Sequence, residues 1–327
     1  MKSSLTVVFI NFNQSAFVEE ALNSILEQKR NADEIVVIDD CSTDESVAII
    51  SNRLRNVENA RVLVNAKNSG VIANLNRGID LARGDFIHFA AADDLFYSGL
   101  YETGVELLEA HPEAALFSAR SDIIDHMGNS IAEASPSAGV PIAAGFVSPE
   151  KVYKMLMRHD GWFMGNTVIY RKIHLVAAGG FRDVLGSFTD GFLCRYLALE
   201  CGACFSFEIL AAWRRMNSGF ATSTLDSFER FSLLIANGEK AMKERPDVFP
   251  RNYVPRWVGR QRFEFARRSL SKSHARHAKQ GVVMRALGIL VEKFHVAFLL
   301  VKLRPWDTIP YARQWVQIFF GMIRNAS

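Results

Sequence analysis

The stretch GVIANLNRGIDLARGDFIHFAAADDLF, Gly70 to Phe96, decides how the rest of the chain is read. Its first part has the spacing of a helix, and Gly84 is placed to end that helix as a left-handed cap. "FIHFAAA" then reads as a strand buried on both faces. Two carboxylates, Asp93 and Asp94, follow where the strand leaves the core. Taken alone, the pair has two readings. It is a solvated turn of the kind that precedes helices, or it is a mount for a hard cation, which prefers oxygen ligands.

The same unit recurs upstream. "LTVVFI" (5–10) and "EIVVID" (34–39) are apolar, β-branched runs, followed by the helical patterns "SAFVEEALNSILEQ" and "DESVAIISNRL". "RVLV" (61–64) is a short third strand. Strand and helix therefore alternate from residue 5 to residue 90, which predicts an α/β fold with a doubly wound, mostly parallel sheet. Ligands bind such sheets beyond the carboxyl ends of the strands. Three of those ends carry polar residues: "NFN" (11–13), "DDCSTD" (39–44) and the Asp93–Asp94 pair. All three are expected to line one crevice. After residue 98 the order loosens. Helices are read at "SGLYETGVELLEAHP", at "SPEKVYKMLMR" with Ser148 as N-cap and Pro149 at the first position, and from near Asp190. Strands are read at "AALFSA" and "NTVIYRK", a hairpin turn at "DHMGNS" and a loop over 132–147.

Charge divides the chain. Of its 327 residues, 251–327 hold 15 Lys or Arg and 3 acids, against 23 and 32 in residues 1–250. The asymmetry predicts a body with one task and a tail with an anionic partner. No apolar signal segment is read at the start, so a reducing, cytoplasmic setting is the expectation. "CGAC" (201–204) has metal-ligand spacing, but a structural zinc needs a second pair and the sequence offers none.

Each polar cluster has a plain and a functional reading. Asp39 and Asp40 either cap the next helix, with Ser42 to Asp44, or accept hydrogen bonds from a nucleotide's base or ribose. Asn68, Gly70 and Asn74 flank a helix start, where anions are favoured. No Gly-x-Gly-x-x-Gly or Walker loop is present, which disfavours a dehydrogenase-type dinucleotide fold. Asp190 in "SFTDGF" is an N-cap or a reactive carboxylate, and Asp183 nearby reads as an exposed loop acid.

In order, "VVFINFNQSAFVEEALNSILEQ", "EIVVIDDCSTDES", "NSGVIANLNRGIDLARGDFIHFAAADD" and "GGF" with "TDGFLCRYLALECG" resemble the family 2 glycosyltransferases over roughly residues 4–220. These are inverting nucleotide-sugar enzymes of the GT-A fold. The resemblance implies a catalytic domain over 1–220, with a nucleotide-binding half (1–98) and an acceptor half (99–220), followed by a basic amphipathic helical extension over 221–327. It implies that Asp40 contacts the base of the nucleotide with Asp39 beside it, and that Phe12 stacks on the base next to Asn13. Asp93 would face the ribose or a metal-bound water, Asp94 would ligate Mn²⁺ or Mg²⁺, and Asp190 would be the general base. The donor implied is a nucleotide-diphosphate sugar, with UDP favoured. The acceptor is a saccharide, lipid-linked by family habit.

Two departures stand out. Many members carry an acid where this chain has Ala91, and a His where it has Met216, in "WRRMNSG". Arg214 or Arg215 is then available for phosphate, as fixed positive charge. The signature of processive synthases is absent, so one sugar per encounter is expected. In the tail, Arg285, Glu292, Lys293 and His295 interrupt the apolar stretch 282–303, which argues against a membrane span. Helices lying on an anionic membrane surface, anchored by Trp306, Trp315, Phe319 and Phe320, are the expectation. The alternatives are packing on the catalytic body or homodimerisation. Nothing supports a nucleic-acid partner. The competing classes are a non-catalytic nucleotide- or glycan-binding relative and a sugar nucleotidyltransferase; the latter would need a glycine-rich basic loop after the first strand.

Overall fold

The computed structural model describes residues 3–134, 144–158, 163–216, 227–263 and 265. The expectations for residues 282–327, including the four aromatic anchors, lie outside them. Among the described residues no helix is long and apolar enough to cross a membrane.

Strands β1 (Leu5–Asn11), β2 (Glu34–Asp39), β3 (Ala60–Val64) and β4 (Phe86–Ala91) pair in parallel in the order β3-β2-β1-β4. Their apolar runs read as continuous because helices cover the sheet: Leu5, Val7, Val8, Phe9 and Ile35 to Ile38 are all buried. The connecting helices are α1 (Val18–Leu26), α2 (Ser46–Arg53) and α3 (Val71–Leu81). Helix α3 lies hard against β1, since a Cβ on Gly78 would meet Val8 Cγ1 at 2.5 Å. Gly84 is not the left-handed cap expected of it. Ala82 caps α3 in an extended conformation, and Gly84 is required because a Cβ there would meet the Thr6 backbone nitrogen at 2.7 Å.

A short strand β5 (Leu95–Phe96) and helix α4 (Leu100–Ala110) lead to β6 (Leu116–Ile124), which forms a hairpin with β7 (Ser130–Ala134). The loop expected over 132–147 contains a strand, β8 (Gly145–Val147), paired antiparallel with a later one. Helix α5 (Pro149–Arg158), β9 (Ile169–Arg171), α6 (Lys172–Ala177), α7 (Thr189–Cys201) and β10 (Ala203–Arg214) follow. Strand β9 joins β4 to β6 antiparallel on both sides, so the sheet is parallel in its first half and mixed in its second. The chain forms two compact units, residues 1–234 and 235–327, and α8 (Phe228–Lys243) spans the division between them.

Candidate active site

The register of β1 and β2 brings Asn11 opposite Asp39. Asn11 Nδ2 donates to Asp39 Oδ2 at 2.6 Å, and the Ser42 N–H and hydroxyl donate to the same carboxylate at 2.8 and 2.6 Å. Asp39 is thereby fully buried. Asp40 accepts from Asn65 Nδ2 at 2.8 Å and from the N–H groups of Ser69 and Gly70 at 2.7 and 2.9 Å. Burial opposes its charge, but these hydrogen bonds together with Asn74 hold its carboxyl below the usual range. The anion at the start of α3 is thus the chain's own Asp40. Buried Asn74 accepts from Asn65 and donates to the Gly70 carbonyl, while Asn68 is exposed.

Asn13 and Cys41 hold left-handed backbone conformations, φ 53° and 66°, at the tips of β1 and β2. Such conformations persist only where surroundings fix them, and they gather at functional sites. Here the Thr43 N–H donates to Asn13 Oδ1 and the Asn13 N–H to Ser42 Oγ. The two tips are knitted together, and Phe12 is left 44% exposed. Phe12 lines a cavity of about 390 Å³ with Val71 and Asp93, so the ends of β1 and β4 share one crevice. The Asp39–Asp40 end, expected to line the same crevice, is not in this cavity's wall: both carboxylates are buried in their own hydrogen bonds.

The acid pair is fixed by Arg214, 120 residues on from Asp94. Asp94 Oδ1 accepts the Arg214 N–H at 2.9 Å, and Arg214 Nε donates to the Asp93 carbonyl at 2.9 Å. Its other two nitrogens donate to the Asp125 and His126 carbonyls and to Glu20 Oε2, and its guanidinium lies 4.6 Å from the Phe17 ring centre. Arg214, read from sequence as a phosphate contact, instead has its donors committed to the frame. Arg215 is exposed. Burial raises the carboxyls of both Asp93 and Asp94. Repulsion from Asp93 pushes Asp94 well above the usual range, with Arg214 opposing only in part.

Two adjacent carboxylates short of countercharge are a donor set for a hard divalent cation. Among the described residues no third Asp, Glu, His or Cys joins them. Mg²⁺-type sites commonly use one or two carboxylates and complete their shell with water and substrate phosphates, so the pair fits that kind of ion.

Asp190 is the second residue of α7. It shares a cavity of about 300 Å³ with Asp94, together with Phe89, Tyr170, Phe181 and Trp213. The cavity mouth leaves Asp190 exposed to solvent, yet the surrounding walls exclude enough water to raise its carboxyl, against the Gly191 N–H and Arg195. Gly165 faces it closely: a Cβ there would lie 3.3 Å from Asp190 Oδ2. The carboxyl end of β4 and the start of α7 therefore meet at one hollow.

Several residues that position this hollow escaped the sequence reading. Asn76 on α3 donates to the Phe181 carbonyl at 2.8 Å and accepts the Phe181 N–H at 2.9 Å. Gly180 makes the approach possible, at φ +69° and with a Cβ site 2.6 Å from Asn76 Oδ1. The clamp ties the "GGF" turn, and with it a cavity wall, to the nucleotide-side helix. Asn76→Ala should destabilise the fold by about 1–3 kcal/mol, read by urea unfolding, because it strands two backbone groups of a buried residue. His88, wholly buried, was visible as a polar residue in an apolar run. Its Nε2 donates to the Asn166 carbonyl at 3.0 Å and its Nδ1 accepts from the Tyr101 hydroxyl at 3.2 Å. Burial pulls its pKa down to about 4, so it is neutral at pH 7 and pins the turn bearing Gly165.

The sequence pattern of glycosyl transferase family 2 matches residues 6–165. That span carries the Asp39–Asp40 turn and the Asp93–Asp94 pair, and ends before Asp190. Residues 6–165 belong to glycosyl transferase family 2. Among its relatives is the GalNAc(5)-diNAcBac-PP-undecaprenol beta-1,3-glucosyltransferase of Campylobacter jejuni, 32% identical over 100 residues, 30% of this chain and 32% of that one. The matched region thus spans about a third of such relatives. Solved structures of the same fold include S. aureus TarS 1–349 in complex with UDP-GlcNAc, at TM-score 0.58 and 17% identity, covering 95% of this chain and 92% of that one. The mannosyltransferase PcManGT of Pyrobaculum calidifontis, in complex with GDP-Man and Mn²⁺, gives 0.54 and 18%, covering 94% and 84%. The chain therefore has the GT-A architecture, with a mixed sheet flanked by helices.

Proposed function

We propose that this chain transfers a sugar, with inversion and one residue at a time, from a nucleotide-diphosphate donor to a saccharide hydroxyl. UDP is the favoured nucleotide, and a lipid-linked saccharide of surface-polysaccharide assembly the favoured acceptor. The observation that carries the reading is the single cavity lined by both Asp94 and Asp190.

Asp93 and Asp94 would hold Mn²⁺ or Mg²⁺. When bound, the ion supplies Lewis-acid stabilisation of the departing diphosphate. Arg214 holds the pair in place through the Asp93 carbonyl and the Asp94 carboxylate. Phe12 offers an exposed ring at the nucleotide end of the crevice, and Asn13, Asp39, Asp40, Asn68, Gly70 and Asn74 shape or border it. Asp190 Oδ takes the proton from the acceptor hydroxyl as its oxygen attacks the anomeric carbon, on the face opposite the bond that breaks. The diphosphate leaves with that bond's electron pair. Domain roles follow: residues 1–98 serve the nucleotide, 99–220 the acceptor, and 221–327 form the basic extension.

The test is calorimetric titration of the full chain with UDP, with and without Mn²⁺. Binding that tightens with Mn²⁺ is expected; UDP binding that is absent, or indifferent to both Mn²⁺ and Mg²⁺, would overturn the reading. The charge of residues 251–327, 15 basic against 3 acidic, supports peripheral attachment to an anionic membrane face. The full chain should sediment with vesicles containing phosphatidylglycerol and not with phosphatidylcholine alone, and 0.5 M salt should release it. Equal partition to both vesicle types would remove the electrostatic part of this proposal.

A further inference from the structure

The role assigned here to Asn166 rests on the transferase reading, in which the cavity shared by Asp94 and Asp190 holds the sugar being transferred. Asn166 lies in that cavity's wall, within a short 3₁₀ turn, Gly165–Thr167. Its neighbour Gly165 is the residue whose Cβ site lies 3.3 Å from Asp190 Oδ2. Asn166 therefore stands one position from the proposed base.

Contacts on two sides fix its orientation. His88 Nε2 donates to its main-chain carbonyl at 3.0 Å, and its own Nδ2 donates to Ser121 Oγ at 3.1 Å. The Ser121 hydroxyl donates in turn to the Asp122 and Ala211 carbonyls, at 3.0 and 3.1 Å, so its proton is already committed. Ser121 is then an acceptor toward Asn166, which settles the amide: Nδ2 faces Ser121 and Oδ1 faces away.

Asn166 Oδ1 is nonetheless buried and accepts no hydrogen bond. An unpaired buried acceptor is costly, and in a native protein it marks a contact completed by something outside the fold. What completes it must bring a proton. Asp94 and Asp190, in the same wall, act as ionised acceptors in their proposed roles and have none to give. The Tyr170 hydroxyl is held 3.2 Å from Cys194 Sγ. A sugar hydroxyl supplies the proton. The residue as a whole is half-buried and its amide torsion is soft, so a modest turn presents Oδ1 to a ring seated in the cavity.

We infer that Asn166 is a substrate-binding, specificity-determining residue whose Oδ1 accepts a hydrogen bond from one hydroxyl of the transferred sugar. The experiment is calorimetry on the full chain with Mn²⁺. UDP, UDP-glucose, UDP-galactose and UDP-N-acetylglucosamine are compared first, and at least one sugar nucleotide should bind tighter than UDP. Monodeoxy analogues of that sugar nucleotide are then titrated into the native chain and Asn166→Ala. One analogue should bind the native chain roughly 5- to 10-fold more weakly than its parent, the scale of one hydrogen bond, and should match its parent on Asn166→Ala. UDP alone should bind both proteins alike, a readout that a merely structural role for Asn166 would disturb. Thermal unfolding checks each variant, and Asn166→Ser, which also lacks Oδ1, takes the place of an Asn166→Ala chain that does not fold. If no sugar nucleotide binds tighter than UDP, or no analogue has a deficit that disappears in the variant, the inference is overturned and the transferase reading stands. If UDP itself fails to bind, the transferase reading falls and takes this inference with it.

Discussion

Asp190→Asn should lower the rate of sugar transfer by roughly 10²–10⁴-fold, the usual contribution of a positioned general base, while UDP still binds. Asp190 lines the same hollow as Asp94, and Gly165 leaves its Oδ2 face unobstructed. The electrostatics agree. The cavity walls, which exclude water from its surroundings although the side chain itself reaches solvent, raise the Asp190 carboxyl, and a stronger base accepts a proton from a sugar hydroxyl more readily. The base form is the ionised one, so activity falls as pH drops through its pKa. Because that value is raised, the acid limb of the rate profile should lie at higher pH than an ordinary carboxylate would give, and it should vanish from the residual activity of Asp190→Asn. A carboxyl raised on folding is less stable ionised in the native state than in the unfolded one. The substitution should therefore not lower the thermal midpoint at pH 7, which separates lost chemistry from lost fold. Undiminished transfer by the variant would remove Asp190 from the role.

Much of this arrangement was legible in the chain. The parallel half of the sheet follows from long apolar runs ending in polar residues, because strands covered on both faces carry few polar positions before their tips; buried Thr6 in β1 and His88 in β4 are exceptions. The antiparallel half was less legible. Strand β8 is three residues long and β9 three, so neither offers a period to read. The identity of the acidic turns was visible, but their division of labour was not. Asp39 is buried because Asn11, twenty-eight positions away, faces it across two strands. Arg214 looked available as a fixed positive charge in the stretch where Met216 stands in place of a His. Its partners Glu20, Asp93 and Asp125 lie 89 to 194 residues distant, and only the closed sheet reveals them. Asn76 is similar: no local pattern announces a partner at Phe181, 105 positions on. Local spacing reports elements and their ends, whereas the hydrogen bonds that turn polar residues into frame or function are long-range.

Asp94→Asn should abolish the strengthening of UDP binding by Mn²⁺, with a loss of at least ~100-fold in metal affinity, the upper scale seen when even an outer partner of a ligand is removed. Asn is chosen because its side-chain oxygen can still accept the Arg214 N–H, so the frame around the pair is kept while one charge is deleted. Two contributions compete in the native protein. Asp94 is 5% exposed, and its charge is opposed both by burial and by Asp93, so the unliganded pair is held under electrostatic tension. Removing one charge relieves that tension and should leave the fold at least as stable. The same charge is what a divalent cation would neutralise, and with Ala91 in place of a third acid the pair has no reserve ligand on β4. Metal-independent binding of UDP should survive, because Phe12 and the β1–β2 tips do not depend on Asp94. Titration of UDP at fixed Mn²⁺ into both proteins reads the difference directly. An unchanged Mn²⁺ dependence in the variant would move the ion away from this pair.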